Sequence, residues 1–473
     1  MSVHYKKTKI VMTIGPASDV PTMLDELIAA GVNVVRFNFS HGDHAEHARR
    51  MRRVRAAAKR AKKHIALLQD LGGPKIRIGD FENGEITLVP GETLTLSTKK
   101  CPGTQQRVYV NYARLPREVG AGQAILLDDG TKRLEVVRTT DTEVVTRVVV
   151  GGRIRSRRGV NVPGAHLSIN TLTSKDKKDV LFGVDMDVDF FALSFVRSAK
   201  DIAQLRRLLT REGSEARIIA KIETQEAIED LDAIISAADG IMVARGDLAV
   251  EVPAENVPHY QKMIIAKCNR SGKPVIVATQ MLESMITTPV PTRAEVADVT
   301  NAILDGTDAV MLSAETAIGK YPLAAVRMMA SVAHRTEADM TYQRVQDDAQ
   351  HTKYTVNAVA RSVIQTANDI EAAAIIALTE SGFTARKVSR YRPRQPIVVL
   401  SPHERVCRQM MLSFGCYPRQ IKRGFSRLVE AGKEARTIVV REELARTGDK
   451  IVIAAGIPFG TAGTTNIMFV ETV

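Results

Sequence analysis

A chain of 473 residues with 44% hydrophobic and 25% charged side chains is too long for one ordinary core, and roughly two to four globular domains are expected. Tryptophan is absent and aromatics reach only 4%, which argues against single-strand nucleic-acid binding by base stacking, and no apolar stretch is long enough to span a bilayer. The 4 cysteines are scattered without a C-x-x-C pair, which disfavours a zinc or disulfide framework, while the net charge of +13 points either to nucleic acid or to a cleft for small polyanions.

The amino-terminal runs KIVMTIG and NVVRFNFS read as strands, each followed by helical periodicity, and a third run, HIALLQD, ends at Asp70. Within RFNFSHG, alternation sets Arg36, Asn38 and Ser40 on one face and Phe37 and Phe39 on the other. An Arg–Asn–Ser stripe beside a glycine suits phosphate oxygens; His41, taken alone, reads as structural. The alanine-rich run RRMRRVRAAAKRAKKH (49–64) reads as a helix with a solvated basic face.

From Gly72 to about His166 the texture changes to short alternating segments (KIRIGDF, EITLV, TLTLST, QRVYVN, AILLDDG, RLEVV, EVVTRVVV) separated by turn residues. This predicts an all-β module over 71–168, inserted into a strand-to-helix loop where it would overhang a barrel mouth as a lid. Lys75 and Arg77 open it and add anion-binding groups. The cluster GGRIRSRRGVNVPG (151–164) reads either as a phosphate-facing turn or as an exposed loop.

The α/β pattern then resumes. FFALSFVRS, IIAKIETQE, GIMVARGDLAVE, PVIVATQMLESM and AVMLSAET are buried-strand runs that end abruptly in polar residues. Such units build a (β/α)8 TIM barrel, here 1–70 and 169–345, whose chemistry gathers at the carboxyl ends of the strands. One mouth would then hold Lys221, Glu223, Arg245, Asp247, Thr279 and Ser313. Glu223 and Asp247 are paired carboxylates suited to Mg2+, which keeps water and substrate oxygens among its ligands. Gly246 lets backbone approach an anion closely. Lys221 lies in an apolar strand, where an ammonium is costly unless it faces an anion or developing negative charge. Thr279 and Ser313 read equally as helix caps or as a short proton relay.

Beyond Tyr342 the polar segment QRVQDDAQHTKYT suits a linker, and 346–473 alternates helices and strands as a small α/β domain. Its helices are expected at 356–369, 384–391, 404–411 and near 426–436, with strands AAAIIALT, PIVVLS, DKIVIAAG and NIMFVETV. The loop TESGFT carries Thr379, Ser381, Gly382 and Thr384 into a helix start, which reads as an ordinary cap or as a phosphate nest.

Together the runs KIVMTIGPAS, RFNFSHG, LQDLGGPKIR, KIE, MVARGDLAVE, VATQMLESM, PTRAEVADV and DGTDAVMLSAET resemble those of the pyruvate kinase family over nearly the whole chain. The resemblance implies a barrel with an inserted β lid and a C-terminal α/β regulatory domain, in a cytoplasmic homotetramer. The implied reaction moves the phosphoryl group of phosphoenolpyruvate to ADP, giving pyruvate and ATP. On this likeness Glu223 and Asp247 hold one Mg2+, and a second travels with the nucleotide. Gly246, Asp247 and Thr279 hold the substrate carboxylate, Arg36 and Lys221 neutralise the phosphoryl group, and Lys221 also the enolate. Asn38, His41, Arg77 and Lys175 face the nucleotide phosphates, and Thr279 with Ser313 relays the proton to the enolate.

Potassium-dependent members carry glutamate where this chain has Lys75 and usually threonine where it has Leu71. Asn38, Ser40, Asp70 and Leu71 thus occupy the family's K+ position, with the Lys75 ammonium replacing the ion, and activity is expected without K+. The resemblance also makes the 379–384 loop an effector site, with AMP or a sugar monophosphate favoured over fructose 1,6-bisphosphate, and GIPFGTAGTTN (456–466) beside it. Two rival readings fit part of this pattern: another Mg2+-dependent barrel acting on pyruvate-like enolates, and a nucleic-acid-binding protein. The first leaves the basic lid unexplained; the second has no groove-reading motif.

Overall fold

The computed structural model describes residues 6–340, 354–461 and 463–473. Nearly all of the polar segment 343–355, expected as a linker, lies outside the described residues.

Eight parallel strands close into a barrel: Lys9–Thr13, Val34–Asn38, Ala66–Asp70, Phe190–Leu193, Arg217–Ile222, Gly240–Ala244, Val275–Ala278 and Ala309–Leu312. They neighbour one another in chain order, and the eighth closes on the first with Lys9 opposite Ala309. The apolar runs are continuous because both faces are buried. One face packs inward as Val11, Leu68, Ile219, Met242, Ile276 and Met311, joined by Leu412 from the C-terminal domain. The other meets the helices through residues such as Val35, Phe37, Ile218 and Val277. This packing leaves the carboxyl ends of the strands as the place for polar groups.

The lid interrupts the barrel after the third strand. Its larger sheet runs Val160–Asn161, Ala124–Leu127, Lys132–Thr139, Glu143–Val150, Thr93–Ser97, Arg107–Tyr109, and Glu85–Leu88 pairs separately with Gly152–Arg155. It has its own core, including Leu94, Leu96, Leu134 and Val144. KIRIGDF makes only isolated bridges rather than a strand. Its amides are partly diverted to side chains: Arg77 N donates to Asn111 Oδ1 at 2.8 Å and Phe81 N to Ser156 Oγ at 2.9 Å.

The two basic clusters resolve differently. In helix His44–Ala61 the arginines are largely paired: Arg50 with Asp19 at 3.2 Å, Arg55 with Asp189 at 3.2 Å, Arg60 with Asp25 at 2.8 Å. The helix also buries Met51, Val54 and Ala57, so it is docked on the barrel rather than simply presenting a solvated face. In the 151–164 cluster, Arg153 and Arg155 pair with Glu85, and Arg157 pairs with Asp80. The lid's own acids occupy these side chains, which lie on the exposed strand Gly152–Arg155 and the turn after it rather than on a loop throughout.

The C-terminal sheet runs Cys416–Gln420, Ile397–Ser401, Ala374–Leu378, Lys450–Ala455, Ile467–Thr472, with only the last pairing antiparallel. The strand Cys416–Gln420 was not expected from sequence because Pro418 interrupts it; as an edge strand it tolerates the missing amide. The helix expected near 426–436 spans Leu428–Arg441. No helix among the described residues is long and apolar enough to cross a membrane.

Buried polar contacts tie this domain to the barrel's amino-terminal end. Arg408 reaches Asp189 at 2.7 Å, and Asp189 is fully buried. Removing Arg408 leaves the buried Asp189 only Arg55 and the Leu67 amide, so Arg408→Met is expected to cost roughly 2–3 kcal/mol, less than the full loss of a buried partner. Denaturant melts of the two proteins check this, and Asp189→Asn added to Arg408→Met should recover part of the loss.

Candidate active site

The barrel strands deliver their polar residues to one mouth. Lys221 is 8% exposed, and its ammonium lies 2.7 Å from Ser194 Oγ, 2.8 Å from Glu223 Oε1 and 3.4 Å from Asp70 Oδ1. On a strand, residues two apart share a face, which is why Lys221 and Glu223 meet. Arg36 enters from the second strand, donating from Nε to Asp70 Oδ2 at 2.6 Å and from Nη1 to Thr13 Oγ1 at 3.0 Å. Phe37 and Phe39 point into the core behind it, as alternation requires.

These contacts set the charges. Burial pulls the Lys221 ammonium down, but Asp70, Glu223 and Asp247 more than offset this and hold it above its ordinary value. Burial opposes ionisation of Asp70, yet Lys221 and Arg36 keep its carboxyl below the usual range. Glu223 goes the other way: burial first, then Asp247, push it up against the pull of Lys221. A Lys221 held in its charged form is suited to facing negative charge rather than to giving up a proton.

Glu223 is anchored by the Phe195 amide, which donates to Oε2 at 2.6 Å. Its Oε1 is buried without a hydrogen bond, the nearby ammonium lacking the alignment for one. A buried carboxylate oxygen left in this state fits a cation ligand. Asp247 opens helix Arg245–Glu251 and is about one-third exposed, so it can share that cation with a substrate. No group of three His, Cys, Asp or Glu residues clusters as a complete cage among the described residues. Two carboxylates with the remaining positions left to water and substrate suit Mg2+. Arg36, Lys75 and Lys221 balance Asp70, Glu223 and Asp247, so a divalent ion makes the mouth positive and receptive to a polyanion.

The loop after the seventh strand is strained. Thr279 has φ 70° and Gln280 φ 53°, left-handed values at non-glycine residues, and at β-branched Thr279 this is uncommon. Each such residue costs on the order of 1–3 kcal/mol and persists only where its surroundings fix it. Arg245 does the fixing: Nη2 donates to Thr279 O at 2.6 Å and Gln280 O at 3.2 Å, while Nη1 pairs with Asp298 at 2.7 Å. Arg245 therefore braces the mouth instead of facing it. Thr279 Oγ1 accepts from Gly246 N at 2.9 Å, joining the sixth and seventh strand ends. Ser313 Oγ is buried without a partner. Neither hydroxyl caps the following helix, so the capping alternative is set aside for both.

Around the rim, Lys75 Nζ lies 3.9 Å from Asp247 Oδ1, so its charge faces Asp247 rather than Asp70, where the replacement of K+ was expected. Asn38 Oδ1 accepts from Ser40 N at 3.1 Å, and Leu71 has its side chain in the core while its carbonyl accepts from Ser194 Oγ at 2.8 Å. Lys175 Nζ donates to Phe39 O at 2.8 Å and Asp179 Oδ2 at 2.6 Å, beside exposed His41 at the end of the second strand. Arg77 on the lid donates from Nη1 to Arg157 O at 3.0 Å.

Sequence reasoning passed over Ser194 and Thr13. Both follow or end an apolar run, the same signal that marked Thr279 and Ser313, but a single hydroxyl carries no charge pattern. Ser194 bridges Lys221, Asp70 and Leu71. Ser194→Ala is expected to lower kcat about tenfold with little change in melting temperature, as for loss of one charge-assisted hydrogen bond. Steady-state kinetics beside thermal melts check it.

In the C-terminal domain, Thr379, Glu380 and Thr384 border an open cavity whose far side includes Gly456, Phe459 and Thr464. Thr384 Oγ1 lies 2.7 Å from Thr465 Oγ1, so the two loops meet. Ser381 and Gly382 do not line this cavity; Ser381 O accepts from Arg217 Nη2 at 2.6 Å and Arg386 Nη1 at 3.2 Å. Glu380, on the rim, pairs with His403 at 2.9 Å.

A lidded parallel barrel whose mouth sets Arg36, Lys75 and Lys221 among Asp70, Glu223 and Asp247 has the build of an enzyme for small polyanions. Residues 5–326 match the family model "Pyruvate kinase, barrel domain", and 357–471 match "Pyruvate kinase, alpha/beta domain". The chain is 46% identical to a pyruvate kinase of Geobacillus stearothermophilus, covering 99% of this chain and 80% of that one. It is 41% identical to a pyruvate kinase of Clostridium perfringens, covering 98% and 99%. A crystal structure of a pyruvate kinase from Cryptosporidium parvum superposes with a TM-score of 0.94 at 36% identity, over 99% of this chain and 96% of that one. The chain belongs to the pyruvate kinase family and is a phosphotransferase.

Proposed function

We propose that this chain transfers the phosphoryl group of phosphoenolpyruvate to ADP, giving pyruvate and ATP, without K+ and under control of a phosphorylated metabolite. The observation that carries the reading is the buried Lys221 ammonium held among Asp70, Ser194 and Glu223 beside a second carboxylate.

In this reading Arg36 and Lys221 bind the phosphoryl oxygens, and Lys221 then holds the enolate charge as the bond breaks. Fixed cations where charge develops are what phosphoryl transfer chiefly needs. Glu223 and Asp247 hold Mg2+, which supplies Lewis-acid neutralisation of substrate oxygens when bound. The Gly246 and Asp247 amides with Thr279 orient the substrate carboxylate. Asn38, His41, Arg77 and Lys175 take the nucleotide phosphates, which requires Lys175 to leave Asp179. Ser313 Oγ, buried and unpartnered, passes a proton from water with Thr279 to the enolate.

The domain limits follow the same reading: barrel 1–70 and 169–345, lid 71–168, regulatory domain 346–473, assembled as a cytoplasmic homotetramer. The effector is AMP or a sugar monophosphate bound in the cavity beside Thr379 and Thr384, with Ser381 and Gly382 turning the loop. Glu380 on the rim favours a ligand with one phosphate over one with two.

K+ independence rests on Lys75, whose ammonium already supplies a monovalent charge near Asp247. Initial rates of ATP formation in K+ and in tetramethylammonium buffers are expected to agree within about twofold. Lys75→Glu is expected to make activity depend on K+. Full inactivity of the parent enzyme without K+ would remove this part of the reading.

A further inference from the structure

Beyond its two connecting segments, the lid is held down on one short helix of the barrel. Across residues 75–165, among the described residues, it makes a single direct hydrogen bond to the barrel: Asn161 Nδ2 donates to Glu251 Oε1 at 2.7 Å. Strand alternation supplies the donor. Val160 lies in the lid core, so its neighbour Asn161 points out of the lid. Glu251 closes helix Arg245–Glu251 four residues after Asp247, and residues at that spacing share a helix face. Each of these two acids therefore meets one lid residue: Asp247 meets Lys75 at 3.9 Å, and Glu251 meets Asn161. A third contact lands on the same helix, where the lid turn at Gly130 lies against Val250; a Cβ on Gly130 would sit 3.6 Å from Val250 Cγ1.

The two polar grips differ in strength. Lys75 and Asp247 are each about one-third exposed and stand apart at 3.9 Å, a weak pair that a divalent ion at Asp247 would oppose. The Asn161 grip is a charge-assisted hydrogen bond to a half-buried carboxylate, one helical turn away from Asp247. Burial pushes the Glu251 carboxyl up, and the hydrogen bond from Asn161 is foremost among the influences opposing that push. Lifting the lid takes this donor from an acid that also feels the charges of Glu226 and Asp247. The closed lid is thereby favoured.

We propose that Asn161 and Glu251 are positioning residues that latch the lid onto the helix presenting Gly246 and Asp247, and so set where Lys75 and Arg77 stand over the mouth. The effect on rate rests on the phosphoryl-transfer reading above; the latch itself is a property of the fold. Its loss acts selectively. Arg36, Lys221 and Thr279, which face phosphoenolpyruvate in that reading, belong to the barrel and keep their places without it. Arg77, assigned to the nucleotide, rides on the lid.

Hydrogen–deuterium exchange and steady-state kinetics of the full chain test this on Asn161→Ala, Glu251→Ala, Glu251→Gln and the double alanine variant. In Asn161→Ala, amides of the 128–131 turn and of helix Arg245–Glu251 should exchange about tenfold faster, while the barrel strands exchange as in the parent. The kcat/KM for ADP should fall about tenfold, with KM for phosphoenolpyruvate within about twofold of the parent. Glu251→Ala reads the same contact from the barrel side and should match Asn161→Ala, even where the lid variant folds poorly. The double variant should be no worse than either single one. Glu251→Gln keeps an oxygen for the Asn161 amide and should recover most of the loss. Unchanged exchange in both alanine variants, losses that multiply in the double variant, or equal losses for the two substrates overturn the latch. If the parent makes no ATP, the phosphoryl-transfer reading falls and the exchange result alone decides the latch.

Discussion

Lys221→Met is expected to lower kcat about a thousandfold, with substrate KM changed much less. One preorganised donor aimed at developing charge contributes about 10²–10³ in rate, and here the donor is a full ammonium in a buried site. In the metal-free mouth, Asp70, Glu223 and Asp247 outweigh burial and hold the ammonium charged. The substitution has a second effect, because Asp70 and Glu223 are left buried with less compensation. Melting temperature should fall, and single-turnover rates measured well below it separate chemistry from unfolding. Lys221→Arg restores charge without the compact geometry that fits between Ser194 and Glu223, so it should recover stability better than rate. Equal loss of kcat in Lys221→Met and in a surface lysine variant such as Lys262→Met would sink the assignment.

Glu223→Gln should be comparably damaging, through metal binding. Losing one of two protein ligands is expected to weaken Mg2+ by about a hundredfold or more and to cost several kcal/mol of catalysis. The linked pH effect has a definite sign. Glu223 has a raised folded-state pKa, chiefly from burial, so without metal its stabilising contribution is present below the unfolded pKa. That contribution is lost as pH rises through the folded value. Mg2+ binds the ionised form and offsets the loss. The melting-temperature gain on adding Mg2+ should therefore be larger at pH 8 than at pH 5, and much reduced in Glu223→Gln. A gain independent of pH, or unchanged in the variant, contradicts the role given to Glu223.

The architecture was legible because buried parallel strands announce themselves as continuous apolar runs with sharp polar endings, and because the lid's alternation breaks that texture at Gly72. Lys221, Glu223 and Asp247 were legible for the same reason: a charge directly after buried strand residues has few structural uses. What stayed hidden depended on three-dimensional partners. Arg245 shares its strand ending with Asp247, yet turns to brace Thr279 and Gln280, and only their positive φ angles explain why a brace is needed. Ser194 gains its importance from what it bridges. The basic helix does present an exposed face, but its ion pairs were not legible in the run itself because the counter-charges, Asp19, Asp25 and Asp189, lie on other elements. The edge strand at Cys416 was masked by Pro418, which its position makes harmless.

In the proposed reaction the barrel mouth moves a phosphoryl group from phosphoenolpyruvate to ADP with Lys221 as the charge holder. The most direct measurement is the initial rate of ATP formation from phosphoenolpyruvate, ADP and Mg2+ in K+-free buffer, for the parent enzyme and Lys221→Met. Saturable, Mg2+-dependent ATP formation by the parent is expected, with a loss of about a thousandfold in the folded variant. No ATP from the parent even with K+ added, or an undiminished rate in Lys221→Met, would contradict it.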